Sequence, residues 1–175
     1  MRTRAAVLSS AVVVSVVGVL AFAAPANAVT TDDTIVTVAI AQGEIGITAP
    51  ADPALTSVPA TAAGTTVTIA LGEIAVSDLS GGTGWTVGAA ATPFTGADAG
   101  GVLGSVAYPA VVAATVGSAV VTGSALAALT EVPVAVQDAA ATGANSATWS
   151  PTLTLTIPAG AQVDSYTSTI THSLI

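Results

Sequence analysis

Beyond its N-terminal segment, this chain consists of short runs in which apolar and polar residues alternate, punctuated by glycine, proline and aspartate, without a sustained helical period over most of its length. Alternation with a period of two places successive side chains on opposite faces of an extended strand, and the abundance of Val, Ile and Thr favours that conformation. Strands are expected at residues 34–40, 44–48, 65–71 and 74–78, with Gly72 marking a bulge or bend between the last two. Residues 80–84 read as a loop that delivers a further strand at 85–89, with Trp85 and Val87 on one face. The alanine- and valine-rich middle suggests short strands near 111–115 and 118–122, because its glycines weaken a helix; a helix at 124–129 is the alternative there.

The strictest alternation comes last. Thr152-Leu153-Thr154-Leu155-Thr156-Ile157 meets a Pro158-Ala159-Gly160 turn, and a return arm covers 165–174. This pair reads as a hairpin or a wide β-arch. The return arm separates into one face carrying Tyr166, Ser168, Ile170, His172 and Leu174 and another carrying Thr167, Thr169, Thr171 and Ser173, so one face is expected inside and the other in water. So many short strands predict an all-β fold, a single antiparallel β-sandwich or barrel-like domain.

The first residues have a different character. Arg2 and Arg4 precede an apolar run from Ala5 to Ala24, and Pro25-Ala26-Asn27-Ala28 ends in the small-residue pattern of a cleavage site. Residues 1–28 are therefore expected to be a secretory signal peptide, with a mature domain over 29–175 that opens on a short lead-in at 29–33. A transmembrane anchor is the competing reading, since the run is nearly long enough to span a bilayer. Export places the mature chain outside the cell, secreted or at the cell surface.

Cleavage changes the charge balance. Arg2 and Arg4 are the only two basic residues, whereas all ten carboxylates lie beyond residue 28. A mature chain with no Lys or Arg neutralises no phosphates, which excludes nucleic acid as a partner, and it is repelled by anionic lipid, so no membrane contact is expected of the mature form. Cysteine is absent, so there are no disulfides, thiolate metal sites or lipidated cysteine. With no sorting motif at the end of the sequence, attachment to the cell is expected to be non-covalent.

The inventory for catalysis is thin. A Ser-His-Asp triad would have to use the single histidine, His172, which reads instead as a partly buried, hydrogen-bonded strand residue. Paired carboxylates are the other route, that of a glycoside hydrolase, but these acids are scattered beside turns, where aspartate is an ordinary turn former. Asp32 and Asp33, or Asp98, with nearby carbonyls are the weak candidates for a calcium site; no EF-hand or RTX spacing accompanies them, and solvated aspartates are the favoured reading. Gly81-Gly82-Thr83-Gly84 lacks the lysine and following helix of a phosphate loop, and reads as a turn before the Trp85 strand. No enzyme and no cofactor are expected.

Val76-Ser77-Asp78-Leu79, then Gly84-Trp85-Thr86-Val87 and Phe94-Thr95, resemble the first Trp-x-Leu region of the WxL domain of Gram-positive bacterial surface proteins. Ala147-Thr148-Trp149, residues 153–160 and residues 165–171 resemble its closing segment. Two positions depart from the pattern: Val87 stands for the leucine of the first motif, and the second motif reads His172-Ser173-Leu174. The resemblance implies non-covalent attachment to peptidoglycan and complexes with companion surface proteins, with Trp85, Thr86, Val87, Trp149, His172, Ser173 and Leu174 as the contact residues. Trp85 and Trp149 either stack on sugars or fill the core, and in a chain with so few aromatics the core is the better expectation. The leading functional expectation is a non-catalytic surface module. The alternative is a self-assembling structural or fibre subunit that pairs its Thr-rich edges between copies.

Overall fold

The computed structural model describes residues 35–51, 57–59, 62–98 and 100–175. The expected signal peptide and lead-in, with Asp32 and Asp33, lie outside these residues, and no helix among the described residues is long and apolar enough to cross a membrane. The chain divides into two units, residues 1–39 and residues 40–175. Of the first, residues 35–39 are described; they and Ile40 carry no regular secondary structure and are exposed.

Among its described residues the second unit is all-β, with no helix, and its strands pair antiparallel in several sheets that pack together as a β-sandwich. One layer is built on β1 (Ile45–Thr48), β3 (Ile74–Asp78), β10 (Asn145–Trp149) and β7 (Ala114–Val116), in the order β1-β3-β10-β7. It continues into β2 (Thr65–Ala70), β11 (Thr152–Ile157) and β6 (Val106–Ala107), in the order β2-β11-β6. The continuity is visible in the register: β2 and β3 are one long arm paired along the other long arm, β10 and β11. At the break, residues 71–73 face residues 150–151, and the Leu71 amide still donates to the Pro151 carbonyl. Three residues against two is a bulge, and Gly72 absorbs it with φ of 85°.

A second sheet runs β13 (Ile170–Leu174), β4 (Gly84–Ala91), β9 (Val134–Ala140) and β8 (Val120–Gly123). A two-stranded patch pairs β12 (Tyr166–Thr167) with β5 (Thr95–Gly96). In β9 the register slips between Val87 and Gly88 of β4, so that Val136 and its neighbour Gln137 both turn inward against the strand's alternation. Gly84 opens β4 at φ of 143°, where a Cβ would collide with the Ala139 carbonyl oxygen, so only glycine fits there. The core draws Ile69, Ile74, Val76, Val87, Val136, Leu153 and Leu155 from both layers around Trp85, Trp149 and Tyr108.

Several expectations are corrected. Residues 35–40 form no strand, despite their pattern, and Thr34 lies outside the described residues. An extended segment gains its hydrogen bonds only from a neighbouring strand, and among the described residues none pairs with this one. The hairpin is also wrong: β11 pairs with β2 and β6, and the return arm pairs with β5 and β4, which leaves the arch. The middle strands fall at 114–116 and 120–123, later than expected, and 124–129 is not a helix, since Leu126 bridges to Tyr108.

Candidate functional site

Alternation along β3 puts Ile74, Val76 and Asp78 on the inner face. A carboxylate placed there by strand geometry has no Lys or Arg to meet it and needs hydrogen-bond donors. Ser80 supplies two, its amide at 2.9 Å and its hydroxyl at 2.5 Å, as the chain turns beyond the strand. The third comes from Asn145, which stands opposite Asp78 in the register and donates through Nδ2 at 3.1 Å. The Ser80 hydroxyl above all, with the Ser80 amide and Asn145, holds the Asp78 carboxyl below its ordinary range, against the opposing effect of burial.

The same Asn145 reaches the other layer. Its Oδ1 accepts the indole N–H of Trp85 at 3.0 Å, and its Nδ2 also donates to the Gly143 carbonyl at 2.9 Å. Trp85 is 6% exposed. Asp78, Asn145 and Trp85 thus form one buried network tying β3 and β10 to β4.

Trp149 anchors a second such network. It is 3% exposed and donates its indole N–H to the Tyr108 hydroxyl at 3.1 Å, and that hydroxyl lies 3.2 Å from His172 Nε2 on β13. An indole N–H only donates, so the hydroxyl accepts from Trp149, and the direction of its bond with Nε2 is set by the His172 tautomer. Burial pushes the Tyr108 hydroxyl up to about 12, with the Trp149 bond opposing it, and pushes the His172 imidazole down to about 4. The two rings lie 5.7 Å apart at an angle of 59°. A neutral imidazole with Nε2 already bonded is a packing group held in place, as its strand position suggests.

Of the residues taken as contact positions, Trp85, Val87 and Trp149 are buried and offer no surface to a ligand. This corrects their assignment as contacts: β4 and β10 turn them inward. Thr86 faces outward and donates to Asp138 Oδ1 across the strand pair at 2.8 Å, while His172, Ser173 and Leu174 are half-buried on β13. The structure therefore does not bring these seven residues to one surface. It places Ile170 and His172 instead beside a cleft of about 530 Å³ between the return arm and the β2–β3 arm, lined also by Ile69, Leu71, Ile74 and Phe94.

Among the described residues, no three His, Asp or Glu side chains group to hold a metal ion. Asp98, the described calcium candidate, donates its backbone N–H to the Asp164 carboxylate at 3.0 Å. Gln137, inside the core, donates through Nε2 to the Val111 carbonyl at 3.0 Å, and its Oε1 accepts no hydrogen bond from the described residues. Sequence reasoning did not single out Asp78, Asn145 or Tyr108 for this role, although the alternation of 74–78 already set Asp78 beside Ile74 and Val76. No family model, no curated protein and no solved structure matches the chain.

Proposed function

We propose that this chain is an exported, non-catalytic module of the bacterial cell surface, related to the WxL domains, that associates with the wall or with other surface proteins through the outer faces and edges of its sandwich. The observation that carries this reading is the fate of its aromatic residues: both tryptophans and Tyr108 are consumed in joining the two layers. The rings that would otherwise form a sugar platform belong to the framework, and the single histidine is tied to Tyr108. What remains outside is backbone edge, threonine, carboxylate and aliphatic side chains such as Leu79, Val112 and Val163.

Co-sedimentation of residues 29–175 with isolated peptidoglycan sacculi tests it. Saturable pelleting that survives Thr86→Ala and added salt is expected. Retention in the supernatant, both alone and with an extract of surface proteins, or turnover of a wall polysaccharide, would overturn the reading.

A further inference from the structure

The two sides of the sandwich are finished differently. On one side β1 packs against β13. On the other, β7 pairs with β10 and β8 with β9, and neither pairs with a second strand among the described residues. Residues 117–119 join these two edge strands. There the Ser118 hydroxyl donates to the Thr142 carbonyl at 2.5 Å and accepts the Thr142 amide at 2.9 Å, which fixes the ribbon to the connection between β9 and β10. All three residues of β7 are exposed, as are Val120 and Thr122 of β8. Val116 and Val120 are 71% and 70% exposed, and no other described edge strand opens an aliphatic side chain so far to water. Lysine, proline and charge, the usual guards of an edge, are absent from both strands.

The register decides which main-chain groups of β8 are free. Ala141, just past β9, sends its amide to the Thr83 carbonyl on the β4 side, whereas the Ser124 amide reaches the Val136 carbonyl. Bonded residues alternate along an antiparallel ladder, so Asp138 and Ala140 turn their N–H and C=O groups to Thr122 and Val120. The N–H and C=O groups of Val121 and Gly123 therefore point to the open edge, and no turn or loop bond among the described residues takes them.

Charge limits what can meet this edge. All ten carboxylates and no Lys or Arg lie beyond residue 28, so two mature copies approach most readily where neither carries charge. Both strands fall within 99–130, the longest run of the sequence without a charged residue. The carboxylate opposite Thr122, that of Asp138, accepts the Thr86 hydroxyl at 2.8 Å and so leans towards β4, away from the edge.

We infer that β8 of one copy pairs antiparallel with β8 of a second copy across a two-fold axis, joining the two β13-β4-β9-β8 sheets into one. Val121 of each copy then exchanges main-chain bonds with Gly123 of the other, and the two Thr122 residues face each other on the axis with Cα atoms about 4.5 Å apart. This rests on the reading of the chain as a module that associates through its edges, and names the edge and its partner. A second copy is the occupant because a strand edge takes another uncharged free edge of its own length, which the same four residues supply. The two-fold uses up both edges, so association stops at a dimer.

Analytical ultracentrifugation of residues 29–175 over a wide concentration range tests this. A monomer–dimer equilibrium is expected, strengthened by salt because two acidic chains are brought together. Val121→Pro removes an edge donor from each copy without touching the ladder to β9, and raises the dissociation constant by roughly thirtyfold or more. Thr66→Lys, on the exposed face of β2, leaves it nearly unchanged. Thr122→Cys supplies a measurement that does not depend on how the proline variant folds: in a chain without cysteine, mild oxidation converts the dimer to a disulfide-linked pair, since about 4.5 Å between Cα atoms lies within the reach of that bond. Any of three results overturns the inference: a monomer at every concentration, a dimer that Thr122→Cys fails to cross-link, or a dimer weakened by Thr66→Lys and indifferent to Val121→Pro. Wall co-sedimentation separates the two ideas. Pelleting of a monomeric Val121→Pro variant leaves the surface-module reading standing without the dimer, and a cross-linked dimer that neither pellets with sacculi nor captures surface proteins leaves the dimer standing without that reading.

Discussion

Asn145→Ala is expected to destabilise the domain by about 3–5 kcal/mol, far more than its modest loss of side-chain volume would suggest. The amide bridges three groups, accepting from Trp85 and donating to Asp78 and Gly143. Removing it leaves a buried indole N–H without an acceptor and takes one of three donors from a buried carboxylate, which costs roughly 1–3 kcal/mol for each stranded group. Asn145→Asp does no better, because it sets a second carboxylate against Asp78. Thr86→Ala, which breaks the exposed hydrogen bond to Asp138, is the control and should cost no more than about 1 kcal/mol. Denaturant unfolding of residues 29–175 measures all three. Equal losses for Asn145→Ala and Thr86→Ala would show that the buried network contributes nothing special.

The second large effect is on acid stability. Folding lowers the His172 imidazole from 6.5 to about 4, so between those values the unfolded chain binds a proton that the folded chain does not. Stability is therefore greatest above pH 6.5 and falls as pH drops towards 4, where the folded imidazole also protonates and this contribution stops changing. Because the ring is only partly buried, the loss is about 2 kcal/mol, less than the full shift would give. Asp78, whose carboxyl is held low, adds a separate loss below its ordinary value of 3.8, as the folded state too becomes protonated. Unfolding midpoints from about pH 2 to about pH 8 for the native chain and His172→Gln separate the two. The native chain loses stability over the His172 window and the variant loses less; parallel curves would remove His172 as the cause.

How far these features were legible depends on how local their cause is. The faces of the return arm follow from alternation alone, and from 166 to 172 the half-buried and exposed residues fall as its pattern dictates. Gly72 was legible because a bend between two strand patterns needs a residue that tolerates positive φ. Where a strand depends on a distant partner, the pattern misled. Residues 35–40 alternate as well as β2 does, yet only β2 has β11 to pair with. The hairpin failed because β11 found its partners in β2 and β6 rather than in the segment that follows it. β9 was missed because its bulge turns Val136 and Gln137 to the same side, which erases a period of two. Asn145 was invisible for another reason: an asparagine after Gly143 reads as a turn residue until the register sets it opposite Asp78.

The central claim is that the tryptophans are framework and the association surface lies elsewhere. Acrylamide quenching of the fluorescence of Trp85 and Trp149, on folded residues 29–175 with and without bound sacculi, tests it most directly. The account predicts weak quenching in both conditions, with full accessibility only in denaturant. Native-state quenching close to that of the unfolded chain, suppressed when sacculi bind, would contradict it and return the indole rings to the contact surface.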